Sequence, residues 1–175
     1  MKIRQATTHD LEACRAIDGA VTSEAVWNMQ QLSERDSVTI VLSEVRLPRP
    51  VHLPYPRQRD DLGKRLERGD CFLVADDGGV VAFITMSTDS GSGVGSVDDF
   101  VVAPEWRRRG VGTALLRAAV AAARDVGTRV VMLPCQARNG AAHAFCRRLG
   151  LEFCGYDEQR YLDHDVTLLF AYRTR

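Results

Sequence analysis

The feature that most constrains the fold is a predicted strand that leads through a short basic turn into a long amphipathic helix. Residues 97–102 form an apolar run that contains two aspartates, and Pro104 follows its end. Residues 107–112 read Arg-Arg-Arg-Gly-Val-Gly, and apolar residues then recur at helical spacing as far as Ala122. Gly127 stands where a helix commonly ends. This order predicts a helix that packs closely against a sheet.

The remaining sequence predicts a mixed α/β fold in one domain that spans residues 1–175. Residues 47–56 hold four of the six prolines, which predicts an extended loop there. Further strands are predicted at about residues 2–6, 37–45, 71–74, 80–86, 129–134, 151–156 and 166–172. Helices are predicted at about residues 11–21, 23–33, 58–67 and 139–150.

Charge and composition argue against several classes of partner. Twenty-three basic residues balance 23 acidic ones, so no overall field attracts nucleic acid or an anionic membrane. No apolar run is long enough for a membrane helix, and none resembles a signal peptide. The five cysteines are scattered and never spaced as Cys-x-x-Cys, which predicts neither a metal site nor disulfides. We therefore expect a cytoplasmic protein without a metal.

The basic turn has the properties of an anion-binding site. Amides in the first turn of a helix have no intrahelical partners, and the helix dipole adds positive potential there. Glycines at 110 and 112 allow a phosphate to approach the backbone, and three arginines supply charge. The alternative is a solvated basic turn whose glycines serve geometry alone. A P-loop needs a lysine after Gly112, and a Rossmann turn needs glycine in place of Leu115, so another pyrophosphate ligand is favoured.

Two segments resemble motifs of the GNAT superfamily of N-acetyltransferases. Residues 107–112 resemble its acetyl-CoA motif, in which a basic residue or glutamine precedes Gly-x-Gly or Gly-x-Ala. Residues 139–151, NGAAHAFCRRLGL, resemble the later Asn…Ala-x-x-Phe-Tyr-x-x-x-Gly-Phe segment of the family. The resemblance covers a cofactor-binding core at about residues 97–151. It implies an acetyl-CoA-dependent enzyme with a central, mostly antiparallel mixed sheet of about seven strands flanked by helices.

The resemblance also implies which residues hold acetyl-CoA. The backbone of residues 100–102 pairs with the pantetheine arm like an added strand, and the basic turn holds the pyrophosphate. Asn139 reaches the pantetheine or the acetyl end, although capping a helix is an equally simple role for it. The implied cofactor residues are Phe100, Val101, Val102, Arg107, Arg108, Arg109, Gly110, Val111, Gly112, Thr113 and Asn139.

The catalytic residues depart from the family pattern at two positions. The family often has a tyrosine that protonates the leaving thiolate, and this chain has Cys146 at that position. Some members have a glutamate where this chain has Pro134. Cys146 is itself a candidate acid, because the reference pKa values of a thiol and the leaving thiol are close. Helical spacing also allows Cys146 to be a core residue, with Tyr161 or Tyr156 as the substitute acid. The base is then Asp98 or Asp99, of which at most one faces the pocket because strand residues alternate. One alternative is that these aspartates only form an ion pair with a nearby arginine. Another is that a water relays the proton and no single residue is the essential base.

A finer resemblance, to the streptothricin acetyltransferases, suggests the acceptor. It rests on Gln136, on Gly155-Tyr156-Asp157-x-x-x-Tyr161 and on the closing strand. Those enzymes acetylate an amine of a cationic antibiotic, which implies a small-molecule substrate and a role in resistance. Protein N-terminal or lysine acetylation and a non-catalytic CoA-binding module remain alternatives. Family members are often dimers, which implies a homodimer. Acidic residues that could bind a polycation are Glu24, Glu34, Asp36, Asp60, Asp61 and Asp157.

Overall fold

The computed structural model of the chain describes residues 1–161 and 165–174. The strands are β1 Lys2–Gln5, β2 Val21–Ser33, β3 Val38–Leu53, β4 Cys71–Asp76, β5 Val80–Asp89, β6 Val94–Val102, β7 Val130–Gln136, β8 Glu152–Asp157 and β9 Thr167–Arg173. The α-helices are α1 Leu11–Ala16, α2 Leu62–Glu67, α3 Val111–Asp125 and α4 Gly140–Arg148.

Seven of the strands form one mixed sheet with the order β1-β4-β5-β6-β7-β9-β8. Every neighbouring pair in it is antiparallel except β6 and β7, which run parallel. This arrangement confirms the predicted mixed sheet of about seven strands with flanking helices. The remaining strands, β2 and β3, pair with each other in a separate two-stranded sheet.

Helices cover both faces of the central sheet, and the alternation along β4 shows how. Leu73 and Ala75 belong to the cluster that contains the buried face of α3, including Leu115. Phe72 and Val74 point the other way, into a cluster with residues of α1 and α2. Complete burial of a side chain such as Leu115 contributes about 1.5–3 kcal/mol to stability.

The two parallel strands separate soon after they meet, which opens a cleft in the sheet. Pairing between β6 and β7 joins only residues 94–96 to residues 130–132. Beyond that point β6 continues to pair with β5, and β7 continues to pair with β9. The facing backbone edges of β6 and β7 are therefore open to a ligand between them, as the resemblance implied.

The largest error of the sequence-based prediction concerns residues 21–53. The helix predicted at residues 23–33 is wrong, because this segment is β2 and pairs along the length of β3. The loop predicted at residues 47–56 is wrong for residues 47–53, because β3 extends to Leu53, and is correct for residues 54–56. Ser23 pairs with Val51 and Ala25 with Arg46, so Pro48 and Pro50 lie where the ladder is interrupted. Proline is tolerated there because no ladder hydrogen bond needs its missing N–H.

Two predicted helix boundaries are confirmed. Gly127 has a left-handed backbone with φ of 79°, one residue beyond the C-cap Val126 of α3. Asn139 caps α4, since its side chain accepts a hydrogen bond of 3.0 Å from the amide of Ala142. The first predicted helix is shorter than expected, because α1 ends at Ala16. None of the helices among the described residues is long and apolar enough to cross a membrane.

Candidate active site

A cavity of about 580 Å³ occupies the cleft between β6 and β7 and extends over the start of α3. Most of the predicted cofactor residues line it: Phe100, Val101, Val102, Arg107, Arg108, Gly110, Gly112, Thr113 and Asn139. The two others do not. Val111 is buried in the core, and the guanidinium of Arg109 lies over the ring of Trp106, 5.5 Å from its centroid.

The turn before α3 is held in an unusual backbone conformation. Arg108 and Gly110 both have left-handed conformations, with φ of 64° and 83°. A non-glycine residue in this region costs roughly 1–2 kcal/mol, and such strain is commonest at functional sites. Gly112 lies within van der Waals distance of the apolar cavity wall, since a Cβ there would come 3.4 Å from Cζ of Phe100. The first amides of α3 lie at this end of the cavity and are free of intrahelical partners.

The three arginines of the turn have different environments, although the sequence suggested a common role. Arg107 directs its guanidinium at backbone carbonyls, donating to Val102 at 2.9 Å, to Ala20 at 2.8 Å and to Asp18 at 2.9 Å. Arg108 is exposed at the cavity, and its side chain has no hydrogen bond to any described residue. Arg108 is therefore the arginine of the turn whose charge is available to a ligand in the cavity.

The two candidate bases lie at a bulge in β6, which changes the expected alternation. Thr85 of β5 pairs with Asp99, but the next residue of β5 pairs with Val97, so Asp98 is the extra residue. Both carboxylates therefore approach the same buried guanidinium of Arg65. Its Nη1 lies 2.6 Å from Oδ2 of Asp98, and its Nε lies 3.7 Å from Oδ2 of Asp99. The alternation on which the prediction rested is interrupted by the bulge. The prediction that at most one of the two aspartates faces the pocket nevertheless agrees with the structure, since Asp98 lines the cavity and Asp99 does not.

The two carboxylates nevertheless differ in their access to the cavity. Asp99 is completely buried and accepts hydrogen bonds from the hydroxyls of Tyr55 at 2.8 Å and Thr85 at 3.2 Å. Asp98 lines the cavity, and its Oδ2 accepts from Arg65 and from the amide of Ser87 at 3.1 Å. Its Oδ1 accepts no hydrogen bond from the part of the chain that the structure describes. Asp98 can therefore meet a ligand directly, whereas the oxygens of Asp99 are occupied by the protein.

The two candidate acids also lie in different places. Tyr161 lines the cavity, and burial raises the pKa of its hydroxyl above the usual range. Cys146 is completely buried, 3.7 Å from the sulfur of Cys135, and it does not line the cavity. This favours the core role of Cys146, because a proton donor must reach the leaving group. Tyr156, the other suggested acid, lies outside this cavity and borders an apolar groove beside Trp27.

The acidic residues suggested for a polycationic acceptor do not form this cavity. None of the six lines it, and among the described acidic residues Asp98 alone does. Asp61 instead pairs with Arg65 at 2.9 Å. Nor does any cluster of three or more His, Cys, Asp or Glu residues suited to a metal occur in residues 1–161 and 165–174.

Sequence reasoning missed two residues that organise this site, Tyr55 and Arg65. Tyr55 lies in the proline-rich segment after β3, lines the cavity and contacts Asp99. Arg65 lies on α2, three residues after the fully buried Leu62, and is itself buried. An arginine on the apolar side of a short helix was the available signal, because a buried charge requires partners.

Comparison with known proteins agrees with this geometry. The profile of the acetyltransferase (GNAT) family matches residues 34–151. The chain is 28% identical to a streptothricin acetyltransferase of Streptomyces lavendulae over 167 residues, which cover 91% of this chain and 86% of that protein. The crystal structure of nourseothricin acetyltransferase superposes with a TM-score of 0.82 and 29% identity, covering 99% of this chain and 98% of the other.

A structure in complex with acetyl coenzyme A has the same fold. It is that of a Bacillus anthracis protein assigned as a streptothricin acetyltransferase, with a TM-score of 0.77 and 19% identity over 98% of each chain. The family profile covers well over half of the 175 residues, and the cleft and basic turn that carry its motifs lie within the matched range or border it. The chain belongs to the acetyltransferase (GNAT) family.

Proposed function

We propose that this acetyl-CoA-dependent N-acetyltransferase acts on a primary amine of a small cationic molecule of the streptothricin type. The observation that carries the proposal is a single cavity that joins the anion-binding turn to the carboxylate of Asp98. Sequence identity of 28–29% to streptothricin and nourseothricin acetyltransferases over nearly the whole chain supports the same acceptor class.

The cofactor half of the cavity fits the parts of acetyl-CoA in order. The open edge of β6 at residues 100–102 offers backbone groups to the pantetheine amides, in the manner of strand addition. The carbonyl of Val102 is the exception, because it already accepts a hydrogen bond from Arg107. The free amides at the start of α3 and the guanidinium of Arg108 suit the pyrophosphate. Asn139 already caps α4 with its side-chain oxygen, so contact with the cofactor falls to its amide nitrogen. When bound, acetyl-CoA supplies the acetyl group as a thioester.

The charges behind Asp98 favour a cationic acceptor. Arg57 and Arg65 contribute two positive charges, and the carboxylates within 4 Å of them, Asp61, Asp98 and Asp99, contribute three negative ones. The cluster therefore has a net charge of minus one. One ammonium group at Oδ1 of Asp98 completes its neutralisation, and opposite charges that are partly desolvated attract more strongly than in water.

Two tyrosines complete the acceptor end of the cavity. Tyr55 and Tyr161 both line it, and burial holds the pKa of each hydroxyl above its usual range. Both rings therefore stay neutral at physiological pH. The guanidinium of Arg59 already lies over the ring of Tyr55, 5.1 Å from its centroid, so this cation–π position is occupied by the protein. The neutral ring of Tyr161 is the one that can stabilise an acceptor ammonium through cation–π attraction, which suits a lysine-like amine.

The same residues provide the proton transfers. Asp98 accepts a proton from the acceptor ammonium, directly or through one water, because its Oδ1 is free of protein donors. Tyr161 holds a proton that it can give to the leaving thiolate, whereas the hydroxyl proton of Tyr55 is directed to Asp99. We propose no role for Cys146 in proton transfer. We further propose that the enzyme acts without a metal, in the cytoplasm, as a homodimer, and without nucleic acid or membrane partners.

A thiol-release assay across a panel of amines tests the acceptor. The panel contains a streptothricin-type antibiotic, an aminoglycoside, a polyamine, and peptides with free N-terminal or lysine amines. The proposal predicts the highest kcat/KM for the streptothricin-type amine. Preference for the peptides would instead indicate a protein acetyltransferase. Acetyl-CoA binding without transfer to any amine would indicate a CoA-binding module.

A further inference from the structure

Arg107, the first residue of the glycine-bearing motif, joins the cofactor strand to the loop between α1 and β2. Its Nε donates to the carbonyl of Val102, at the end of β6. Its two terminal nitrogens donate to the carbonyls of Ala20 and Asp18. We propose that Arg107 is a positioning residue that couples the cofactor strand to the acceptor end of the cavity, rather than a ligand of the pyrophosphate. The acceptor part of this inference rests on the proposed function.

The hydrogen bonds of Arg107 explain why its charge is unavailable to the cofactor. All three of its nitrogen atoms donate to carbonyl oxygens, at distances between 2.8 and 2.9 Å. A planar guanidinium that makes three such bonds is fixed in orientation, because its donors diverge in a rigid fork. Arg108, the next residue, is exposed at the cavity without such bonds. The two neighbouring arginines therefore have separate tasks.

The loop that Arg107 holds forms a wall of the acceptor end. Gly19 lies between the two carbonyls that Arg107 holds, and it packs closely on the ring of Tyr55. A Cβ at Gly19 would lie 2.7 Å from Cδ2 of Tyr55, so only glycine permits this approach. Gly19 and Tyr55 both line the cavity, and the hydroxyl of Tyr55 donates to Asp99. A continuous set of contacts thus runs from Val102 to the carboxylates of the bulge.

This arrangement predicts which constant changes when Arg107 is replaced. Loss of the three bonds releases the loop and, with it, the position of Tyr55. A displaced Tyr55 no longer forms the wall against which the acceptor binds, so the acceptor KM rises. An acceptor misplaced by about 1 Å also reacts more slowly, by up to ~10²-fold, even when the altered residue does not touch it. Affinity for acetyl-CoA changes little, because the pyrophosphate site does not use this side chain. If Arg107 bound the pyrophosphate, its replacement would instead weaken acetyl-CoA binding and leave the acceptor KM unchanged.

Two substitutions at position 107 separate these roles. Arg107→Lys keeps the positive charge, but its single nitrogen cannot reach the three separate carbonyls that Nε, Nη1 and Nη2 of Arg107 contact. Arg107→Met removes both the charge and the hydrogen bonds. We expect each variant to raise the acceptor KM by about tenfold or more, with the Kd of acetyl-CoA within about threefold of wild type. Arg108→Met is the contrasting variant and should weaken acetyl-CoA binding instead. Arg117→Met, at an exposed position on α3, controls for loss of one positive charge.

Gly19→Ala provides a second test that leaves Arg107 intact. The added methyl group of Gly19→Ala meets the ring of Tyr55 and displaces it. The acceptor KM should therefore rise while the Kd of acetyl-CoA is unchanged. The proposal is overturned if Arg107→Met weakens acetyl-CoA binding tenfold and Arg107→Lys restores it. It is also overturned if Gly19→Ala leaves the acceptor KM unchanged. The acetyl-CoA titrations need no acceptor, so they judge Arg107 even if the proposed amine is wrong.

Discussion

Substitution of Gly112 by alanine and by valine tests where acetyl-CoA meets the start of α3. A Cβ at this position would lie 3.4 Å from Cζ of Phe100, 3.6 Å from Cε2 of Phe145 and 3.6 Å from Cγ2 of Val102. These are ordinary contact distances, so one methyl group fits against the three side chains. Gly112 is also the second residue of α3, where alanine is favoured over glycine by less than the about 1 kcal/mol typical of helix interiors.

We therefore expect Gly112→Ala to retain acetyl-CoA binding and to match or slightly exceed the wild-type Tm. Valine adds two further carbon atoms at a position where the neighbours are already in contact. These atoms must displace Phe100 and Phe145 or enter the cavity. Overpacking of this kind costs roughly 1–3 kcal/mol, which corresponds to about a 5- to 150-fold weaker Kd when the cost falls on the bound state.

Isothermal titration with acetyl-CoA, combined with thermal unfolding of each variant, measures both effects. The expected result is a Kd for Gly112→Val that is weaker by that factor, with Gly112→Ala close to wild type. Wild-type affinity in Gly112→Val would refute the placement of the cofactor at this turn. The unfolding curves give the fraction of folded protein in each variant. If that fraction alone accounts for the weaker binding of Gly112→Val, the placement is refuted as well.

Three further predictions concern proton transfer and the core. Asp98→Asn should lower kcat/KM by about 10²- to 10⁴-fold with little change in the Kd of acetyl-CoA, as loss of a general base does. Wild-type activity in this variant would exclude Asp98 as the general base. Cys146→Ala should keep kcat within about twofold of wild type, since the thiol lies in the core, and should mainly lower Tm. Burial lowers the pKa of His143, whose Nε2 lies 2.8 Å from the carbonyl of Gln136, so the folded protein holds this ring neutral. The unfolded chain takes up a proton near pH 6.5, so stability is complete above that value and falls as pH drops through it toward the lower folded pKa. The pH dependence of Tm between about 7.5 and 5 should therefore be flatter in His143→Gln, and an unchanged slope would contradict this.

The sequence predicted the central sheet and the strand-turn-helix unit at residues 97–125 well because local signals mark them. The strand, turn and helix at residues 97–125 carry hydrophobic periodicity, a basic glycine-bearing turn and a closing glycine at Gly127, and the structure has each in place. Segment 23–33 carries no such signal. Its strand conformation depends on pairing with residues 38–53 in a hairpin, and these cross-strand contacts override weak local preference.

The acceptor side could not be predicted for a related reason. Arg65 reaches the carboxylates from α2, more than thirty residues away in sequence, and Tyr55 approaches from the segment after β3. A bulge at Asp98 is likewise invisible in residue types, since it is a property of the pairing with β5. The hydrogen bonds of Arg107 could not be predicted from its motif either, because two of its partners, Ala20 and Asp18, lie in a loop outside the motif.

The central claim is that the cavity transfers an acetyl group from acetyl-CoA to a small cationic amine. Its most direct test incubates the enzyme with acetyl-CoA and a streptothricin-type antibiotic, and measures free thiol together with the mass of the antibiotic. We predict one free thiol for each acetyl group added to an amine of the antibiotic. An antibiotic of unchanged mass, under conditions in which the enzyme binds acetyl-CoA, would contradict the account.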